Sequence, residues 1–135
     1  MKSQSVVVAF TSLLFVACAG PEGGGEGQDL STVEQKSLVG EPVVATWELG
    51  GWKESINSMG DGFIAQRGSG FDCWSVGMKC FRNLVKTGTN TYSGECGVCS
   101  GSSVVWGPVS ITVSGDGNWL TQYCQGSTST WARVP

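Results

Sequence analysis

The chain has 135 residues, with 8 basic and 11 acidic side chains, a formal net charge of −3 and no histidine. The missing histidine excludes serine–histidine and cysteine–histidine nucleophile pairs, together with histidine metal sites. Charge is uneven along the chain: after Pro42, six basic residues meet six acidic ones. A neutral domain lacks the positive field that draws nucleic acid, so no nucleic-acid partner is expected.

The chain opens MKSQSVVVAFTSLLFVACAG. Lys2 precedes an apolar run from Val6 to Ala17 that gives way to small residues, which is the anatomy of a signal peptide over residues 1–17. The run is shorter than the roughly 20 apolar residues of a membrane-spanning helix. Leu14-Phe15-Val16-Ala17-Cys18 resembles a bacterial lipoprotein signal, in which cleavage precedes a cysteine that takes diacylglycerol and an N-acyl chain. The resemblance implies lipidation at Cys18 and a mature protein held in the cell envelope with the membrane as its partner, since several acyl chains anchor where one does not. With Ala19 behind the cysteine, the outer membrane is implied for a Gram-negative host. Ala17-Cys18-Ala19 also fits an ordinary secretory cut after Ala19, whose product would be secreted and soluble.

Residues 18–42 are Gly-rich and acidic, with too few apolar groups to offset the entropy of ordering, and read as a flexible tether. Residues 43–135 then form one small domain. Its glycines separate short runs rich in Val, Ile, Thr and aromatics: VVATWEL, WKESINS, FIAQR, DCWSV, MKCFRNLV, NTYSGEC, PVSITVS, NWLTQYC and TWARV. This spacing predicts an all-β fold, a small antiparallel meander or barrel-like domain braced by disulfides. In PVSITVSGDGNWLTQYC, Val109, Ile111 and Val113 share one face, and Asp116-Gly117 supplies the turn. The related SINSMGDG around Asp61 predicts a second turn. Neither loop carries the alternate oxygen ligands of a calcium loop, and exposed turns give an aspartate no means to shift its pKa for catalysis. Lys79, Arg82 and Lys86 cluster locally and read as a solvated patch.

Trp47, Trp52, Trp74, Trp106, Trp119 and Trp131 are many for so small a domain. Large aromatics can supply a minimal core, and those left partly exposed can stack a ligand. Trp52, Trp74, Trp106 and Trp119 are the stacking candidates, for a glycan or a small lipophilic molecule. Ala45-Thr46-Trp47 near the domain start and Thr130-Trp131-Ala132-Arg133-Val134 at its end resemble the lipocalin and avidin group of up-and-down barrels. That resemblance implies a barrel in which Trp47 packs near Arg133.

Apart from Cys18, the cysteines are Cys73, Cys80, Cys96, Cys99 and Cys124. Export favours disulfides, and an odd number leaves at least one thiol without an intramolecular partner. Reversal of the chain about Val76-Gly77 would set Cys73 opposite Cys80 as a pair. Cys124 would then take Cys96 or Cys99. Cys96-Gly97-Val98-Cys99 also raises two rivals, thiol–disulfide exchange and a zinc site formed with Cys73 and Cys80. No metal and no cofactor is expected. A paired-carboxylate hydrolase would draw on Glu48, Glu54, Asp72 or Glu95, but no spacing singles out two of them. The reading is a noncatalytic binding or structural domain in the cell envelope, with a thiol oxidoreductase as the enzyme alternative.

Overall fold

The computed structural model describes residues 36–135. The signal peptide, Cys18 and most of the tether lie outside the described residues. The described residues fall within the compact unit Gln35–Pro135, and among them there is no helix. Its strands, in chain order, are β1 Thr46–Leu49, β2 Trp52–Ile56, β3 Gly62–Gln66, β4 Lys79–Gly88, β5 Thr91–Ser100, β6 Ser103–Val113, β7 Trp119–Cys124 and β8 Ser127–Arg133. Each is antiparallel to the next, and β8 returns to β1 through Trp47↔Arg133 and Glu48↔Ala132, which closes an eight-stranded barrel. Closure leaves no sheet edge open to other chains.

Period-2 alternation sets which face looks inward. On β6, Val109, Ile111 and Val113 are buried, while Ser110 and Thr112 are exposed. Burying each of these three is worth about 1.5–3 kcal/mol. The register of β6 with β7 runs from Val109↔Cys124 to Val113↔Leu120, so Leu120, Gln122 and Cys124 face inward and Trp119, Thr121 and Tyr123 outward.

Both Gly-Asp-Gly segments are turns. Before β3, the Asn57 Oδ1 accepts the backbone N–H groups of Met59 and Asp61. Between β6 and β7, Asp116 Oδ1 accepts the Ser114 hydroxyl at 2.6 Å and the Asn118 N–H at 3.0 Å, and Gly117 takes φ 76°. The Ser114 hydroxyl, then the Asn118 N–H, hold the Asp116 carboxyl below the usual range. The basic cluster is neutralised pair by pair: Lys79 with Asp61 at 3.2 Å, Arg82 with Glu95 at 2.7 Å and Lys86 with Glu41 at 2.9 Å.

One end of the barrel is plugged. Leu38 and Val43 are buried beside Trp47 in the core, and the Trp47 indole N–H donates to the Val43 carbonyl at 3.0 Å. Arg133 lies over the Trp47 ring, 5.2 Å from its centroid, and donates to the Pro42 carbonyl at 3.0 Å. Glu41 accepts the Tyr92 hydroxyl at 2.8 Å. The expected tether boundary at Pro42 therefore moves back, because the chain is already folded onto the barrel at Leu38.

Two other sequence expectations are corrected, and two rival readings of the cysteines lose their basis. DCWSV is not a strand: residues 67–78 form a loop, with Gly70, Phe71 and Gly77 at positive φ. Cys73 therefore has no place opposite Cys80. Instead Cys73 bonds Cys99, while Cys96 bonds Cys124 as one of the two pairings expected for Cys124; the Cα separations are 5.8 and 6.1 Å, and Cys80 is a buried free thiol. The strand running through Cys96 and Cys99 explains this pairing. Three residues apart on a strand, the two sulfurs leave opposite faces, so the Cys-x-x-Cys motif forms no dithiol of its own. Three of the four cysteines named for zinc are consumed in disulfides.

Candidate functional site

At the end opposite the plug, the barrel holds a cavity of about 490 Å³. Its mouth is framed by the β1–β2 turn, the loop 67–78, the end of β5 at Gly97–Cys99 and the β7–β8 turn, all of which contribute lining residues.

Tryptophans make much of the wall, and two of them lie against glycines. Trp52 opens β2 and donates its indole N–H to the Ser69 carbonyl at 3.2 Å. A Cβ at Gly68 would collide with its ring. Phe71 meets Trp52 edge-on, with centroids 6.1 Å apart. Trp74, on the loop, lies over Gly97 of β5, where a Cβ would come within 2.8 Å of the indole and 2.6 Å of Val104. The Cys73–Cys99 disulfide ties the same loop to the end of β5. Trp131 of β8 completes the aromatic set, its N–H donated to the Ser129 hydroxyl at 3.0 Å.

Five polar side chains interrupt this wall: Gln125 and Ser129 are engaged in hydrogen bonds and Ser127 is exposed, which leaves Glu54 and Gln122 as the two of interest. Glu54 lies on β2 between Trp52 and Ile56 and shares an inward position with its cross-strand neighbours Trp47 and Ile64. It is 8% exposed, and among the described residues no hydrogen bond or ion pair reaches its carboxyl. Burial pushes its pKa up to about 8, because an ion there would lose its hydration with nothing to replace it. The site therefore holds a neutral carboxylic acid at pH 7. Gln122 of β7 also lines the cavity, and its Oε1 is buried without a hydrogen-bond partner. Cys80 lies in the same wall. Burial first, and then the neighbouring Glu54 charge, push its thiol far up, so it stays protonated and a poor nucleophile.

The structure divides the four stacking candidates. Trp52 and Trp74 come together in the cavity, whereas Trp106 lies on the outer surface with Arg82 4.2 Å from its ring centroid, and Trp119 is an exposed outward residue of β7. The four carboxylates considered for hydrolysis do not converge. Glu95 is held by Arg82, Asp72 is exposed beside Arg67, and Glu48 is exposed on β1. Sequence reasoning missed Glu54, Gln122 and Trp131 as cavity residues. The signal was present in Trp52-Lys53-Glu54-Ser55-Ile56, where alternation puts a glutamate on the apolar face.

Among the described residues, no group of three or more histidine, cysteine, aspartate or glutamate side chains is placed to hold a metal ion. No protein-family model, curated protein or solved structure matches the chain.

Proposed function

We propose that the chain is an exported, noncatalytic binding protein, anchored in the cell envelope through lipid on Cys18, whose barrel takes up a small, largely apolar molecule. The observation that carries this reading is the cavity of about 490 Å³, walled by Trp52, Trp74 and Trp131 and open at one end. Ligand sites are typically such concave apolar pockets with a few polar groups that fix orientation. The mouth fits the same occupant: Leu49, Phe71 and Val98 border the cavity and are exposed apolar residues. A glycan is disfavoured, because the two exposed-surface tryptophan candidates stand apart and the cavity offers few hydrogen-bonding groups.

Two disulfides accord with an oxidising compartment, in keeping with export. The arrangement of Trp47 and Arg133 at the plugged end is the one implied by the resemblance to lipocalin- and avidin-type barrels, and it supports a barrel that binds ligand within. The oxidoreductase alternative loses its motif, since Cys96 and Cys99 belong to different disulfides.

The test is uptake of the neutral fluorophore N-phenyl-1-naphthylamine, alongside a Ser127→Trp variant that narrows the mouth. Saturable enhancement at one probe per chain, abolished in the variant, is the expected result. No enhancement with folded wild-type protein, or equal enhancement in both, overturns the reading.

A further inference from the structure

The polar content of the cavity is one-sided. Among the lining residues the only side chain that can carry charge at neutral or mildly alkaline pH is Glu54; Gln122 Oε1 is a buried acceptor without a partner, and there is no lysine or arginine. Arg133, the cation of β8, is engaged by the Trp47 ring and the Pro42 carbonyl, and Arg67 faces Trp52 and Asp72. A buried carboxyl with no partner is costly unless something occasionally meets it. Around it, Trp52, Trp74 and Trp131 offer indole faces, the surfaces that attract cations most strongly. An anionic ligand would find no counter-charge here and would meet an acid.

Resting on the cavity reading above, we propose that the natural occupant is a lipophilic amine, bound as its ammonium ion with Glu54 as the counter-carboxylate and its apolar body against the tryptophan wall. Binding then converts the neutral acid to a carboxylate, and the released proton goes to solvent. Beside Glu54 lie Trp47 from β1, Ile64 from β3 and Cys80 from β4, and Phe81 from β4, Gln122 from β7 and Trp131 from β8 line the same cavity. Only Cys80 among them titrates, and its thiol stays protonated. Amine affinity therefore rises with pH, by up to about tenfold per unit between pH 6 and 8, and levels off while the amine remains protonated.

The test is calorimetric titration of wild-type protein and Glu54→Gln with three matched probes: 1-naphthylmethylamine, 1-naphthalenemethanol and 1-naphthoate, at pH 6, 7 and 8.5. For wild type at pH 8.5, the amine is expected to bind at least tenfold tighter than the alcohol, with the carboxylate weakest. Binding of amine at pH 7 should release close to one proton, read from buffers of different ionisation enthalpy. Glu54→Gln should bring amine and alcohol to equal affinity and abolish the pH dependence. If alcohol and amine bind wild type equally, or the variant keeps the preference, the amine assignment fails while the cavity reading stands. The assignment fails in the same way if none of the three binds but N-phenyl-1-naphthylamine does. Exclusion of all four probes overturns both.

Discussion

Glu54 makes a quantitative prediction about stability that needs no ligand. In the unfolded chain its carboxyl has an ordinary pKa near 4.5, and in the barrel burial raises it to about 8. The folded protein therefore holds the proton more tightly than the unfolded chain. For an acid shifted upward, stability is complete below pH 4.5 and is lost as pH climbs toward 8, with a slope of about 1.4 kcal/mol per unit. At pH 7 the deficit is on the order of 3 kcal/mol, and above pH 8 it levels off at roughly 4–5 kcal/mol. Glu54→Gln, neutral at every pH, should match wild type at pH 4.5 and exceed it by these amounts at pH 7 and 8.5. Urea unfolding of both proteins at the three pH values measures the difference, and every other titrating group cancels in the comparison. Parallel stability curves, with a constant offset across pH, would refute the claim that Glu54 is buried without a partner.

Other parts of the barrel can be probed as directly. Gly97→Ala forces a methyl against the Trp74 indole and Val104; a loss of about 1–3 kcal/mol in urea unfolding, with a red shift in tryptophan emission, is expected. Arg133→Ala removes the hydrogen bond to Pro42 and the cation over Trp47, which should cost about 1–3 kcal/mol and expose residues 36–45 to limited proteolysis. Cys80 should resist a thiol reagent in native buffer and react once denaturant is added, an increment that Cys80→Ala eliminates; rapid labelling of the native protein would contradict its burial.

Much of the fold was legible in the sequence because strand physics is local. The alternation of Val109, Ile111 and Val113 and the Asp116-Gly117 turn need only neighbouring residues to be read. Trp47 and Arg133 pair through resemblance, and the barrel closes where they meet. The disulfides were not legible in the same way. The Cys73–Cys80 pairing assumes a hairpin, but Ile64 of β3 donates its N–H to Met78 and accepts that of Gly77, so β4 finds its partner upstream of the loop. Four cysteines distributed over a loop and two strands are matched by barrel curvature, which no short window encodes. Glu54 was visible only as one acid among several. Its distinction is burial, and burial depends on strands more than sixty residues away.

The two ends of this barrel differ in how their groups are satisfied, and the difference bears on function. At the plugged end, buried polar atoms are paired: the Trp47 N–H with Val43, Arg133 with Pro42 and Tyr92 with Glu41. At the open end stand an unpaired Glu54, a Gln122 oxygen without a partner, an exposed Phe71 at φ 55° and a void where side chains could have packed. Each of these costs stability. Both disulfides border that same cavity, and closing loops of 26 and 28 residues stabilises by about 3.5 kcal/mol apiece in the chain-entropy account. A fold selected for stability alone would place its crosslinks without regard to the void, or would fill the void. Crosslinks concentrated at an under-packed, under-paired mouth are what a rigid, preorganised binding cavity requires. Reduction should accordingly weaken probe uptake before it unfolds the plugged end around Trp47.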